Sequence, residues 1–188
     1  MFSITHNEVT PAILALFDHP LNELIPPDPD YDGRTLYFTE RAPHDVGQNA
    51  ELPAGYRLAP RDERLFQSSF DYESTLRSFG TLENVLKHTL GIVILADDML
   101  VCEAATGAPT HVLIEVGVTT AESYRGQGFA TLACARLIET CESHGYNTWW
   151  DCAKQNIPSV KLARRLGYRN EQEYRYVWWP KTNQVMNG

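Results

Sequence analysis

A glycine-rich turn at residues 124–130 (YRGQGFA) constrains the fold of this chain more than any other stretch. An apolar run at residues 112–119 precedes it, and a helical pattern follows to about residue 143. Glycine lets the backbone turn tightly and approach a ligand. The first amides of a helix lack internal partners and lie at the positive end of its dipole. The segment therefore predicts a site for an anion such as a pyrophosphate, with Arg125 adding a positive charge.

Two familiar phosphate-binding patterns do not fit this turn. The pattern G-x-x-x-x-G-K-[S/T] is absent, and Gly126-x-Gly128 lacks the third glycine of a dinucleotide fingerprint. What remains is R-x-x-G-x-A, formed by Arg125, Gly128 and Ala130. This pattern resembles the Q/R-x-x-G-x-G/A signature of the GNAT superfamily of N-acetyltransferases, which follows the fourth strand of that fold.

A second motif strengthens the resemblance. Residues 156–168 (NIPSVKLARRLGY) look like the N-x-x-S/A…L-G-F/Y helix of the same family. The two motifs occur in the family's order and cover about residues 112–170. The rival interpretation is a generic strand, turn and helix that bind no ligand. The resemblance implies the GNAT fold, a mixed and twisted α/β sheet with helices on both faces.

Hydrophobic periodicity locates the elements of this fold. We expect residues 55–188 to form the GNAT acetyltransferase domain and residues 1–54 to form an N-terminal extension or remnant subdomain. The extension includes a short helix at residues 10–17 and a candidate short strand at residues 36–38. The expected core order is β-α-α-β-β-β-α-β-α-β, with strands at residues 56–59, 92–95, 100–105, 112–119, 147–152 and 174–179. The helix after Gly128 places five residues near one face, Phe129, Leu132, Ala133, Leu137 and Cys141.

Composition limits the function classes. Hydrophobic residues make up 43% and charged residues 21% of the 188, as in an ordinary globular protein. No apolar run approaches the length of a membrane span, and the N-terminus lacks the features of a signal peptide, so we expect a cytoplasmic protein without a membrane partner. A net charge of −8 argues against nucleic acid and is compatible with a cationic amine substrate.

No metal site is expected. The four cysteines form no CxxC pair, so the sequence does not predict a zinc site. Residues 28–33 (DPDYDG) imitate the opening of a calcium loop, but Thr39 stands where the twelfth-position Glu is required. Cys152 lies near the expected site, yet the family transfers acetyl groups directly, so a nucleophilic role for Cys152 is not expected.

The resemblance implies acetyl-CoA as the cosubstrate and a direct transfer to an amine. Backbone amides of the turn and helix start are expected to hold the pyrophosphate. The strand before the turn splays from its neighbour in this family and binds the pantetheine arm through its backbone. Asn156 matches a family residue that contacts the cofactor, although it also suits a plain helix N-cap. The expected cofactor-binding residues are Val118, Thr119, Thr120, Arg125, Gly126, Gln127, Gly128, Phe129, Ala130, Thr131 and Asn156.

Asp151 is the first candidate for the general base. It ends the predicted fifth strand, five residues before Asn156, where family members that acetylate ribosomal-protein N-termini carry a catalytic Glu. Because Asp is one carbon shorter, it would act through a water. Its structural alternative is an Asp that caps a turn or pairs with Lys154 or Arg125.

Glu115 is the second candidate for the base. Strand alternation turns its side chain away from the side of Val116 and Val118 unless a bulge intervenes. A buried, ion-paired Glu is its structural alternative. His111 and Glu103 are weaker candidates that also suit polar positions at strand ends.

The sequence departs from the family at Ala163, where many members carry a tyrosine that protonates the departing thiolate. Tyr168, Tyr174, Tyr176 or a water could replace that acid. A non-catalytic acyl-CoA-binding or scaffold protein is the alternative from another functional class.

The acceptor itself has no recognisable sequence code. It depends on the loops at residues 61–80 and 106–111, and a small-molecule amine is the expected substrate. A homodimer is an open alternative to a monomer. Two aromatic pairs, Trp149–Trp150 and Trp178–Trp179, fit either core packing or a cage for a cation.

Overall fold

The computed structural model describes residues 34–42 and 51–175. These residues form seven strands, five α-helices and one 3₁₀ turn at Glu122–Tyr124. The strands are β1 (Arg34–Arg41), β2 (Tyr56–Pro60), β3 (Gly91–Ala96), β4 (Met99–Thr106), β5 (Leu113–Thr120), β6 (Asn147–Ala153) and β7 (Tyr168–Arg175). The helices are α1 (Glu63–Phe66), α2 (Tyr72–Phe79), α3 (Leu82–His88), α4 (Phe129–Ser143) and α5 (Ile157–Arg165).

All seven strands join one sheet in the order β2-β3-β4-β5-β6-β1-β7. Every neighbouring pair is antiparallel except β5 and β6, which run parallel. The parallel pairing joins Leu113, Ile114 and Glu115 to Asn147, Thr148 and Trp149 and then ends, although both strands continue. The mixed sheet confirms the predicted GNAT fold, and the short parallel ladder leaves the later half of β5 without a strand partner on the β6 side.

Helices α4 and α5 cover one face of the sheet and form the main core. The five predicted core residues of α4 are all buried. Gly145 follows the helix with φ +83°, a left-handed conformation that glycine adopts without strain and that closes the C-terminus as predicted. Trp150, Phe38 and Tyr168 fill the same core beneath α5.

Helices α1 to α3 lie on the other face, so helices cover both sides of the sheet as predicted. Thr81 caps α3 by accepting a hydrogen bond from the Asn84 amide at 3.2 Å. Phe66 and Val85 are fully buried there. None of the described helices is long and apolar enough to cross a membrane.

A buried ion pair ties these helices to the sheet. Arg61 Nη1 donates to Glu103 Oε1 at 2.8 Å, and the two side chains are only 4% and 5% exposed. Arg61 also donates to Thr89 Oγ1 at 2.6 Å. Glu103 Oε2 accepts from Ser69 Oγ at 2.6 Å and from the Phe70 amide at 3.3 Å. Glu103 is therefore a structural residue, with both oxygens engaged.

The two strands at the far edge differ from the sequence expectation. β1 contains the short strand expected at residues 36–38, but it is longer than expected, and it lies between β6 and β7 and pairs antiparallel with both. β7 begins at Tyr168 instead of residue 174. Its sequence, YRNEQEYR, is mostly polar, because β1 is its only partner among the described strands and an edge strand lacks the apolar alternation of a core strand. The predicted helix at 10–17, the 28–33 loop and residues 176–179 lie outside the described residues.

We expect the substitution Glu103→Gln to destabilise the fold by about 3–5 kcal/mol, because it leaves the Arg61 charge buried without a counter-charge. Asp98→Asn is the matched control, since it removes a carboxylate from the exposed Arg57–Asp98 pair, which is worth about 0–1 kcal/mol. Urea unfolding of both variants measures the difference. Equal effects of the two substitutions would contradict a structural role for the buried pair.

Candidate active site

A cleft of about 1060 Å³, here called the main cleft, opens between the end of β5, the start of α4 and one side of α5. It contains every expected cofactor-binding residue except Gln127, whose side-chain amide donates to the Ser123 carbonyl at 3.5 Å. The structure thus brings two distant sequence motifs together around one space. The lining residues are Val118, Thr119, Thr120, Tyr124, Arg125, Gly126, Gly128, Phe129, Ala130, Thr131, Asn156, Pro158, Ser159, Lys161, Leu162 and Arg165.

The glycine turn has the backbone geometry that the motif predicts. Gly126 and Gly128 have φ of +77° and +86°, in the region that side chains rarely tolerate. A Cβ built on either residue would meet no atom within 4 Å, so both stand in open space. Because Gly128 is also the N-cap of α4, the first amides of that helix begin at the cleft.

Charge in the main cleft is one-sided. Among its described lining residues, three are cations, Arg125, Lys161 and Arg165, and none is a carboxylate. The chain as a whole carries a net charge of −8, so this local excess of positive charge favours an anionic ligand.

Sequence reasoning missed the wall that α5 contributes. Pro158, Lys161, Leu162 and Arg165 line the cleft and follow an i, i+3, i+4, i+7 spacing, which marks one face of a helix. That spacing was visible in the sequence and could have identified them. Two other lining residues were also missed, Ser159, which lies within the N-x-x-S motif, and Tyr124, which has no comparable signal.

Asn156 is a helix cap that also lies at the main cleft. Its side-chain oxygen accepts the Ser159 amide at 3.3 Å as the N-cap of α5, and the residue lines the main cleft as well. Val118 likewise packs against the core and lines the cleft.

A second cavity of about 300 Å³ lies on the opposite face of β5. It is bounded by α2, the loop after β4, and the side chains that alternate away from the core. Val118 and Thr119 line both spaces, so the main cleft and the second cavity meet at these two residues. Its lining residues are Arg61, Ser69, Asp71, Thr75, Glu103, Ala105, Thr106, Gly107, Glu115, Gly117, Val118 and Thr119.

Glu115 points into the second cavity. Alternation along β5 buries Ile114 and Val116 on the α4 face and turns Glu115 to the other, as predicted. No described side chain forms an ion pair or hydrogen bond with its carboxylate; the buried ion-paired Glu of this region is Glu103 instead. Burial, and then the negative charge of Asp151, raise the pKa of Glu115 from 4.5 to about 7.

Asp151 lies on the same face of the sheet as Glu115. Its neighbours Trp150 and Cys152 point to the core, and Asp151 Oδ2 accepts a hydrogen bond of 2.5 Å from the Tyr174 hydroxyl. Burial raises the pKa of Asp151, while the Tyr174 hydrogen bond opposes that rise.

Asp151 pairs with neither Lys154 nor Arg125, the two ion-pair partners expected if its role were purely structural. Lys154 pairs with Glu173, and Arg125 Nε donates to the Thr120 carbonyl at 3.3 Å. The carboxylate is therefore held by a neutral hydroxyl and keeps its negative charge uncompensated by those cations.

The tyrosines considered as the general acid lie in different surroundings. Tyr168 lies in the core, where burial raises its pKa and its hydroxyl donates to Thr148 Oγ1 at 2.8 Å. Tyr174 lies beside Asp151, and Tyr176 is outside the described residues. Ala163 is fully buried in the core and does not line the cleft.

The remaining candidates carry no reactive geometry. Cys152 is buried, and burial raises its pKa, so its thiol stays protonated. His111 is exposed and lines neither cavity. Trp150 is a core residue, while Trp178 and Trp179 lie outside the described residues, so an aromatic cage has no support from the described pair.

The sheet that opens beside a glycine-rich helix start defines a protein of the GNAT fold class. The chain belongs to the GNAT acetyltransferase family, whose model matches residues 34–177. That match begins at the first residue of β1, in agreement with the place of this strand in the sheet.

Similar proteins come from two bacteria, one matched by sequence and one by structure. A Bacillus subtilis protein described as "Uncharacterized N-acetyltransferase YdfB" is 28% identical over 134 residues, which are 70% of this chain and 51% of the relative. The chain thus spans about half the length of that curated relative. A GCN5-related N-acetyltransferase-like protein from Streptococcus suis is 26% identical with a TM-score of 0.66, covering 91% of this chain and 69% of the other.

A more distant structure shares the fold alone. The enzyme AAC(6')-Iy, in complex with a bisubstrate analogue, CoA-S-monomethyl-acetylneamine, is 16% identical with a TM-score of 0.52. The alignment covers 67% of this chain and 97% of that structure.

The raised pKa of Glu115 predicts a pH-dependent loss of stability. Between pH 4.5 and about 7 the folded protein holds a proton that the unfolded chain has released, so the free energy of unfolding falls as pH rises through this window. Glu115→Gln removes the effect. We therefore expect this variant to gain stability over the wild type at pH 8 and much less at pH 5, in urea unfolding experiments.

Glu51→Gln, at an exposed glutamate, is the control for the loss of one negative charge. A gain for Glu115→Gln that is the same at both pH values, or is matched by Glu51→Gln, would contradict the raised pKa.

Proposed function

We propose that this protein is an acetyl-CoA-dependent N-acetyltransferase that acetylates the amine of a small molecule by direct transfer. The observation that carries the proposal is the meeting of two cavities at Val118 and Thr119. One cavity is long and cationic, the other small and acidic, and a single strand separates them. Membership of the GNAT acetyltransferase family supports the same reaction.

The residues of the main cleft fit a CoA nucleotide. Gly126 and Gly128 leave their surroundings open to a phosphate, and the cleft holds cations without carboxylates. The amides of residues 126–131 and Arg125 would hold the pyrophosphate, with Lys161 and Arg165 facing the remaining negative charge. When bound, acetyl-CoA supplies an acetyl group activated as a thioester. The distant fold relative AAC(6')-Iy forms a complex with CoA, which agrees with this assignment.

The backbone of β5 would hold the pantetheine arm. Val118, Thr119 and Thr120 lie beyond the last pair of the β5–β6 ladder, so an extended arm can take the place of the missing strand. An amide of this stretch would also face the thioester oxygen and stabilise the negative charge that develops on it.

The second cavity fits a small cationic acceptor. Its volume of about 300 Å³ is at the lower end of the range for ligand pockets, about 300–1,000 Å³. Arg61 is neutralised by Glu103, which leaves Asp71 and Glu115 as the carboxylates that can face an ammonium group. This balance of charge favours an amine over an anionic substrate.

Asp151 and Glu115 are the candidates for removing the proton of that amine. A general base works best when its pKa lies near the working pH, and Glu115 has a pKa of about 7 and faces the second cavity. Asp151, the first candidate on sequence grounds, already accepts the Tyr174 hydroxyl. These contacts support Glu115 as the base and Asp151 as the charge beside it.

A non-catalytic acyl-CoA-binding protein is the second candidate function, because buried Ala163 removes the acid that many family members use. Release of free thiol from acetyl-CoA, measured across a panel of small amines and corrected for hydrolysis, separates the two. Amine-dependent release supports the transferase; tight CoA binding without release by any amine supports the binding protein.

We expect Gly128→Val to weaken CoA binding at least tenfold, or about 1.4 kcal/mol, because the new side chain projects into the space that the phosphate needs. Gly145→Val is the matched control: Gly145 has φ +83° and equally open surroundings, but it lies at the other end of α4. Both variants carry the same backbone strain, so calorimetric titration with CoA isolates the effect of position. Unchanged affinity in a folded Gly128→Val protein would remove the phosphate-site assignment.

We expect Glu115→Gln and Asp151→Asn each to lower kcat about 10²-fold, with little change in CoA affinity. The Asp151→Asn variant keeps Glu115 as the base. In this variant the acidic limb of the kcat/KM profile should move to lower pH, because Glu115 loses its negative neighbour. A stable Asp151→Asn enzyme with wild-type kcat and profile would exclude a role for Asp151. Full activity of Glu115→Gln would return the base assignment to Asp151.

A further inference from the structure

Tyr174 reaches Asp151 across an intervening strand. In the register of the sheet, Thr35 of β1 is paired with Tyr174 of β7 on one side and with Ala153 of β6 on the other. Asp151 lies two residues before Ala153 on the same face. The tyrosine side chain therefore lies over β1, and its hydroxyl ends 2.5 Å from Asp151 Oδ2.

Tyr37 holds the ring of Tyr174 in this position. Tyr37 is the direct cross-strand partner of Asp151, and its ring packs edge-on against Tyr174 with centroids 5.7 Å apart. The hydrogen bond thus joins two half-buried groups whose orientations are fixed by strand pairing and by ring packing, in a setting where it is stronger than in open water.

Asp151 in turn is placed to act on Glu115. The register pairs Glu115 with Trp149, and Asp151 follows Trp149 by two residues, so the two carboxylates share one face across the opening of the strands. Asp151 is the charged group that adds to burial in raising the pKa of Glu115. A hydroxyl that donates to Asp151 favours its ionised form and so keeps that charge in place.

We propose that Tyr174 is a positioning residue, which fixes Asp151 as a carboxylate facing Glu115 and thereby makes Glu115 the group that accepts the proton of the amine. This proposal depends on the proposed function in one respect, namely that the proton donor is an amine substrate. The proton moves from the ammonium nitrogen to a Glu115 oxygen and leaves a neutral amine, while Tyr174 and Asp151 keep their own bonds throughout.

The other described charges around the pair are already compensated or lie farther along the second cavity. Arg61 and Glu103 neutralise each other, Lys154 is paired with Glu173, and Asp71 lines the cavity from α2. These groups are unchanged by a substitution at Tyr174, so a shift in the titration of the carboxylates reports on the Tyr174 hydroxyl.

The test is a carbon-13 NMR titration of the side-chain carboxyls in the full-length protein, which needs no turnover. In the wild type, Asp151 should titrate at lower pH than Glu115. In Tyr174→Phe, the midpoint of Asp151 should rise and the two carboxyls should share one proton over the same pH range. In Asp151→Asn, the midpoint of Glu115 should fall. Tyr37→Phe is the matched control, because it removes a hydroxyl from the adjacent ring and leaves the Tyr174–Asp151 bond intact.

Kinetics give the second readout once an amine substrate is known. Tyr174→Phe should move the acidic limb of the kcat/KM profile in the wild-type background and have no such effect in the Asp151→Asn background, because it acts through Asp151. An Asp151 midpoint that is unchanged in folded Tyr174→Phe, or an equal kinetic effect in both backgrounds, overturns the proposal. Failure of every amine to react would count against the proposed function alone, since the NMR result stands without it.

Discussion

The parallel pairing of β5 and β6 lasts for three residues, and the rest of the structure depends on where it stops. Beyond Glu115 and Trp149 each strand is held only by its outer neighbour. β4 pairs with β5 from Val116 to Thr120, and β1 pairs with β6 from Trp150 to Ala153. Where β5 and β6 part, the backbone groups that face the opening have no strand partner among the described residues. Outer support makes the opening stable and leaves one edge of β5 available to a ligand.

Alternation along β5 then turns one opening into two chemically different spaces. Successive side chains of a strand point to opposite faces, so Ile114 and Val116 are buried on the α4 face while Glu115 and Gly117 line the second cavity. Charge follows the same division among the described lining residues, with cations in the main cleft and an excess of carboxylates in the second cavity. An anionic ligand and a cationic ligand could therefore approach the same strand from opposite sides, each on the side whose charges attract it.

Local sequence signals predicted the parts of this site that local chemistry determines. The glycine turn, the α4 core face and the Asn156 cap are encoded within a few residues, and all three have the expected geometry. Strand partners are not encoded locally, so the insertion of β1 between β6 and β7 was not foreseen. The buried, ion-paired glutamate is Glu103 rather than Glu115 for the same reason: its partner Arg61 lies 42 positions away in the sequence.

The inserted strand has a chemical consequence as well as a structural one. Without β1, β7 would lie directly beside β6, and a tyrosine there would stand next to Asp151 rather than reach it over another strand. With β1 in place, the Tyr174 side chain extends over β1 and its hydroxyl donates to Asp151, while the Tyr37 ring packs against the Tyr174 ring. Since a neutral donor stabilises the carboxylate without cancelling its charge, Asp151 can still raise the pKa of Glu115 toward neutrality. An arginine at the same point would cancel that charge and lower the proton affinity of Glu115. Strand order at the edge of the sheet thus determines the acid–base properties at its centre.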